Sequence, residues 1–395
     1  MSKKYHRLFL ECKMIEKKGS IIVVGEMYRD TWIEINLQAI KYNIMQIKEK
    51  LPQDSNIIAV VKANAYGHGI VPIAQKAIKS GANGLAVALL EEAITLRKAS
   101  ITAPILVLGG VPAVYAPIAA KNHITLTVFQ EDWLKEVNEL TLEQPLHVHL
   151  KLDTGMGRIG VRTEEELVGM LQEIEKNRDI NLTGIFTHFA TADESDLAYY
   201  HEQTKRMEQL LTLFKQYWKE SITIHVGNSA ASIRFPEIMH NSIRFGISMY
   251  GLYPSKYVKE ENHISLKPAF SLHSKLIHVK SIKPGESVSY GRTYVAEEDE
   301  WIGTIPIGYG DGWNRKLQGM SVLVNGKRMP IVGRICMDQM MIRLDKSYPI
   351  GTKVTLIGEQ GNDCIEMDEV AAYLDTISYE IPCMINERVP RIYIE

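Results

Sequence analysis

The chain reads as an α/β protein, an N-terminal (β/α)8 barrel of the TIM type followed by a mainly β C-terminal domain. Three observations predict it. From Ile57-Ile58-Ala59-Val60 onward, short β-branched apolar runs alternate with longer amphipathic ones, the pattern of βα units around a parallel sheet. Eight such runs fall within roughly 190 residues, the count and scale of a closed barrel. After Pro254 the period shortens to two, with turn residues between the runs. A doubly wound open sheet is the alternative, but no G-x-G-x-x-G follows the first strand.

At 395 residues the chain exceeds one ordinary core, so two domains are expected. Residues 1–29 read as an extension outside the fold, where Lys3, Lys4, Lys13, Lys17 and Lys18 accompany apolar runs too short for a signal peptide. Residues 30–254 read as the barrel, with a first strand near 31–37 able to join the second domain, and 255–395 as the β domain. The formal net charge is −2 and there is no arginine-rich block, which argues against a nucleic-acid partner. No apolar run reaches a membrane-spanning length. Cys12, Cys336, Cys364 and Cys383 lie far apart with no C-x-x-C pair, as reduced thiols do in a cytosol. A cytoplasmic enzyme with neither a disulfide framework nor a metal site is expected.

The strand candidates of the barrel are Ile57–Val61, Leu85–Ala88, Ile105–Leu108, Ile124–Val128, Leu146–Leu152, Leu182–Thr187, Ile222–Val226 and Ile243–Phe245. Thr31–Leu51 adds a strand and an amphipathic helix before them. Residues 255–268 are polar and read as a surface connection. Beyond them come strands at Phe270–Val279, Trp301–Ile307, Val322–Val324 and Met329–Ile335, and a helix near Met367–Leu374. Asn325-Gly326 between alternating residues predicts a tight hairpin.

Barrel enzymes place their chemistry at the C-terminal ends of the strands. The first strand ends in Lys62, followed by Tyr66, Gly67 and Gly69. An ammonium at the edge of an apolar core loses water, which disfavours the charged form and suits a lysine that joins a carbonyl cofactor as a Schiff base. Alone, a strand-end lysine such as Lys62 is more often one whose stem packs while its head reaches water. The fifth strand ends in Lys151 and leads to Arg158; the sixth ends at His188; the seventh carries His225 and ends in Asn228-Ser229; the eighth carries Arg244 and ends in Gly246-Ile247. Asn228-Ser229 can simply cap a helix, and His188 and His225 can be satisfied core histidines. With Gly246, the same Asn and Ser donors form a nest for a phosphate. Arg158 and Arg244 suit anions. Together the strand ends describe a site for a phosphorylated carbonyl cofactor anchored at Lys62, which points to pyridoxal phosphate. No acid ends the seventh or eighth strand, so Arg244 is the candidate at the pyridine nitrogen. An always-protonated donor leaves that nitrogen unprotonated, a weak electron sink that favours prompt reprotonation and so racemisation.

These residues sit in specific motifs: A-V-V-K-A-N-A-Y-G-H-G at 59–69, L-K-L-D-T-G-M-G-R at 150–158, S-Y-G at 289–291 and R-I-C-M-D at 334–338. From about Arg29 to the C-terminus the chain closely resembles the bacterial alanine racemases, fold-type III pyridoxal-phosphate enzymes. The resemblance implies a homodimer with shared active sites that interconverts L- and D-alanine by a two-base mechanism, supplying D-alanine for peptidoglycan. A broader alanine and serine racemase is the alternative. A non-catalytic carrier of the same cofactor would lack the β domain, and a basic amino-acid decarboxylase would want an acid where Arg244 stands.

By the same resemblance, Lys62 holds the cofactor and serves one face of the proton transfer. Tyr290, which otherwise passes for a strand aromatic, is the opposing base, delivered from the partner subunit. His188, hydrogen-bonded toward Arg244, tunes that tyrosine. Arg158 meets the phenolic oxygen of the cofactor and the substrate carboxylate, and the backbone N–H of Met337 meets that carboxylate too. Tyr66, Asn228, Ser229, Gly246, Ile247 and Tyr379 match phosphate contacts; Tyr309 and Asp338 match residues at the access channel. Lys151 falls where some members carry a carbamylated lysine that orients the arginine seven residues on. Gly227 and Gly310 stand where relatives have alanine.

Overall fold

The computed structural model describes residues 15–17, 21–24 and 28–395, which form two compact units. The first comprises Ala39–Ala65 and Gly69–Pro268. Its strands are β1 (Asn56–Val60), β2 (Gly84–Val87), β3 (Ile105–Val107), β4 (Thr125–Val128), β5 (Leu146–Lys151), β6 (Ile180–Phe186), β7 (Thr223–Gly227) and β8 (Ser242–Phe245). Every neighbour pair is parallel, and β8 pairs with β1 to close the barrel. These runs form strands because both faces are covered: all four residues of β2 and of β8 are buried. The helices follow their caps and stripes. Thr163 caps Glu164–Glu175, its hydroxyl accepting from Glu166 N–H at 3.2 Å while the Glu166 carboxylate accepts from Thr163 N–H.

The eight barrel strands predicted from the sequence match the observed ones within one or two residues. The 255–268 connection differs, because it carries a short helix, Lys256–Glu261, capped by Ser255. Arg234 grips Glu261 through two bonds of 2.8 and 2.9 Å, and Val258 and Ile264 are buried. This stretch is part of the barrel unit through Pro268.

Lys62 begins the turn that leaves β1, and the next residues adopt a left-handed helical turn. Ala63, Asn64, Ala65 and Tyr66 have φ of 52, 52, 54 and 50°. Each costs about 1–2 kcal/mol relative to the right-handed conformation. The turn persists because its polar groups are taken: Ala65 N–H reaches Val61 O at 2.9 Å, Ala63 N–H reaches the Glu92 carboxylate at 2.6 Å, and Asn64 Oδ1 accepts from Ile70 N–H. Strain of this kind accumulates where geometry serves a ligand.

The second unit contains Tyr66–His68 and Ala269–Glu395 together with the chain up to Gln38. Thr31–Asn36 lies in its sheet, antiparallel to Phe270–Lys275 and parallel to Arg391–Ile394. The predicted single strand Phe270–Val279 is two. Phe270–Lys275 pairs with Thr31–Asn36 and Lys353–Gln360, whereas His278–Ile282 pairs with Glu300–Ile305. Asn325 and Gly326, at φ 48 and 73°, join Ser321–Val324 to Lys327–Val332 as the two-residue hairpin that the sequence predicts. Part of the stretch read as an extension is also in this sheet. Ile21–Val24 pairs antiparallel with Arg391–Ile394, and Ile15–Lys17 adds outside it. Its β-branched run satisfies an edge that would otherwise stay open. Residues 1–14, 18–20 and 25–27 of that predicted extension lie outside the described residues. Gly67 cannot carry a side chain, since a Cβ there would lie 2.1 Å from Pro382 O. Among the described residues no helix is long and apolar enough to cross a membrane.

Candidate active site

The C-terminal ends of the barrel strands hold a cation-rich cluster built around Arg244 of β8. Its guanidinium is buried and donates to three backbone carbonyls, those of His225 at 2.6 Å, Thr187 at 2.7 Å and Val226 at 3.2 Å. It also reaches the imidazole nitrogens His225 Nδ1 at 2.8 Å and His188 Nδ1 at 3.3 Å. All of these bonds use the two terminal nitrogens. Nε alone makes no hydrogen bond to a described residue.

An arginine only donates, so both imidazoles must accept at Nδ1 and carry their hydrogen on Nε2. His225 Nε2–H then donates to His149 Nδ1 at 2.8 Å. Burial, followed by the charge of Arg244, pushes the pKa of His188 and His225 well below the ordinary histidine value. Both rings are neutral, and His188 presents an Nε2–H. His149 belongs to this chain of imidazoles, yet nothing in its sequence context pointed to it.

Lys151 ends β5 buried, its Nζ donating to Leu152 O at 2.6 Å. Burial and then Arg244 push its pKa down to about 7, with Arg158 adding and Asp153 opposing. Arg158 is exposed and has no hydrogen-bond partner among the described residues, but its charge acts on Lys151, His188 and Arg244. The loop carrying it is shaped by Asp153, whose Oδ1 accepts from Gly155 N–H at 3.1 Å and Gly157 N–H at 3.0 Å. Gln203 ties the turn after β6, accepting from Ala190 N–H and donating to His188 O. Asp153 and Gln203 were missed in the sequence. The Asp two residues before a Gly is a turn signal that could have found the first.

Asn228 does cap the short helix Ser229–Arg234, accepting from Ala231 N–H at 3.0 Å. Ser229 Oγ accepts from Gly246 N–H at 3.0 Å, so that donor of the expected nest is engaged within the protein. The serine therefore keeps its own O–H to donate. Ser248 Oγ, in the turn Ile247–Tyr250 just beyond, is buried with no partner. A phosphorylated ring with an accepting nitrogen fits these groups. The Arg244 Nε–H, the orphaned Ser248 hydroxyl and the excess of cations each lack what such a molecule supplies.

The other predicted residues lie in the β unit. Tyr66 and Tyr379 are ring neighbours, centroids 6.3 Å apart, and burial raises the Tyr66 pKa. Tyr290, Tyr309, Met337 and Asp338 are exposed and come from tied loops. Tyr309 N–H donates to Cys336 O at 3.1 Å, Gly310 N–H to Met337 O at 2.8 Å, and Ser289 Oγ to Arg334 O. Ser289, just before Tyr290, sits at φ 69°, a strained value for a serine. Arg388 holds Asp338 at 2.7 Å. The N–H of Met337 makes no hydrogen bond to a described residue.

Replacing Arg244 with leucine strips donors from three buried carbonyls and from His225 Nδ1. We expect about 3–5 kcal/mol of lost stability, measured as a lower urea midpoint at unchanged slope.

Comparison with known proteins shows the family. The family described as "Alanine racemase, N-terminal domain" matches residues 35–254, and "Alanine racemase, C-terminal domain" matches 269–393. A curated relative from Anoxybacillus flavithermus named alanine racemase is 54% identical over 371 residues, covering 93% of this chain and 96% of the relative. The solved structure of alanine racemase from Bacillus anthracis, with bound L-Ala-P, superposes with a TM-score of 0.91 at 48% identity, covering 94% of this chain and 96% of that one. A histidine racemase from Leuconostoc mesenteroides superposes with a TM-score of 0.86 at 33% identity, covering 94% of this chain and 100% of that one. With both domains matched across nearly the whole described chain, the protein belongs to the alanine racemase family.

Proposed function

We propose that the chain racemises alanine with pyridoxal phosphate as cofactor. The observation that carries this reading is Arg244, held by two neutral imidazoles and three carbonyls with Nε left over, in the family shown above. When bound, the cofactor supplies a carbonyl that captures the amino group and an electron-withdrawing ring that acidifies the α C–H. Lys62 is the amine that anchors it and the acid or base on one face. Arg158, unpaired among the described residues, holds the substrate carboxylate. Ser229 and Ser248 hydroxyls, with Tyr66 and Tyr379, hold the phosphate. Arg244 Nε–H donates to the ring nitrogen without protonating it, which keeps the ring a weak electron sink.

The second base is Tyr290 of the partner subunit. Its exposure of 69%, together with the exposure of Tyr309 and Met337 on linked loops, supports a homodimer in which this patch is covered. A cytoplasmic location and a role in making D-alanine for peptidoglycan complete the proposal. The deciding assay follows α-proton exchange in deuterated buffer with alanine, serine and histidine side by side. Racemisation of alanine far above the other two is the expected result; a preference for either of them overturns the substrate, since this fold also carries a histidine racemase.

Lys151 is proposed to take up carbon dioxide. The ammonium first gives up one proton, the neutral nitrogen then bonds the CO2 carbon and gives up a second, and a buried cation becomes an anion in the field of Arg158. Only the neutral amine attacks. With its pKa near 7, uptake is blocked well below that pH and rises as pH passes through it. Enzyme equilibrated with 13C-bicarbonate should show a carbamate resonance that grows across this range and is missing from Lys151→Met.

A further inference from the structure

The barrel has a second opening, at the N-terminal ends of its strands. A cavity of about 490 Å3 lies there, lined by the first residues of β1, β2, β3, β4, β7 and β8 and reaching His149. This end of a barrel ordinarily serves stability alone. Three features set this one apart.

First, its lining contains Arg97, His123, His147 and His149 but no aspartate or glutamate. Arg97 is held by the carbonyls of Asn122, Ile101, Ala103 and His123, at 2.7 to 2.9 Å, so among the described residues its charge has no carboxylate to answer it. Second, Ser242 lines the cavity with its Oγ buried and without a partner, an orphan that costs about 1–3 kcal/mol unless something supplies one. Third, His149 is fixed as a donor. Its Nδ1 accepts from His225, so its hydrogen is on Nε2, which has no partner among the described residues. Burial keeps the ring neutral. The ring is placed by a register shift between β5 and β6 at Val148/His149 that seats it over Gly184, where a Cβ would come within 2.5 Å of it.

We propose that this cavity binds a small oxyanion, held by Ser242 Oγ–H and His149 Nε2–H in the field of Arg97, and that its occupancy is felt at Arg244. An acceptor at His149 Nε2–H pushes electron density toward Nδ1, which strengthens the bond from His225. His225 Nδ1 in turn becomes the better acceptor for Arg244, since hydrogen bonds in a chain polarise one another. The binding part depends only on the barrel geometry, so it stands or falls apart from the assigned reaction.

The test uses holoenzyme labelled with 15N at histidine and arginine, titrated with inorganic phosphate. The cofactor occupies the other phosphate site throughout. The expected result is a saturable shift of the His149 Nε2 resonance, accompanied by smaller shifts at His225 and Arg244 Nε. Ser242→Ala should weaken binding at least tenfold. So should Thr125→Asp, which adds a carboxylate to the lining without touching a donor and should leave the cofactor absorbance unchanged. No saturable shift at tens of millimolar phosphate overturns the site, as does an unchanged midpoint in both variants. A shift at His149 with none at His225 or Arg244 overturns the coupling.

Discussion

Lys62→Ala should abolish racemisation, lowering kcat by about 10⁴-fold or more, the scale on which removal of a covalent group acts. The position argues for this. Lys62 leaves β1 at the mouth of the barrel, and the four strained residues that follow it are held by the bonds of Ala65 N–H to Val61 O, Ala63 N–H to Glu92 and Ile70 N–H to Asn64 Oδ1. Its charge acts on His188, which places it within the cluster that includes Arg244, Arg158 and Lys151. Borohydride treatment of the wild-type holoenzyme should fix the cofactor on the peptide containing Lys62, as read by mass spectrometry. An adduct on Lys151, the other amine at this mouth, would overturn the assignment. The backbone bonds that hold the turn belong to Ala63, Ala65 and Ile70, so the alanine variant should still fold, as far-ultraviolet circular dichroism would show.

Tyr290→Phe should lower racemisation by about 10²–10⁴-fold, the range for a general acid or base, while leaving cofactor absorbance intact. Removing one of two bases stops exchange from one enantiomer and spares it from the other. The measurement is α-deuterium incorporation from L-alanine and from D-alanine separately. Equal rates from both enantiomers in this variant would sink the two-base reading. The strained backbone at Ser289 and the exposed phenol support a side chain held out toward something other than its own core.

Much of the architecture was legible because barrel strands are buried on both faces and read as unbroken apolar runs. The β8 segment Ser242–Phe245 was recognised from three residues alone, and the Asn325-Gly326 turn from two. The polar strand ends were legible for the same reason, since Lys62, Lys151 and Arg244 interrupt apolar patterns where no loop need do so. Less legible was the segment 255–268, where a polar composition hid Val258 and Ile264. Ile21–Val24 was also misjudged, because a strand that completes another strand's edge is defined by its partner Arg391–Ile394, at the other end of the chain.

The sequence by itself determined the fold class, the family and the residue types at the mouth of the barrel, because these depend on pattern and spacing along the chain. Only the tertiary structure decided how those groups are charged and aimed. It is the approach of Arg244 to His225 and His188 that makes both rings accept at Nδ1, and His149 joins them only through a register shift between β5 and β6. Tautomer and protonation depend on which atoms meet across the barrel and on how much water they lose, and neither is written in the order of residues along one strand.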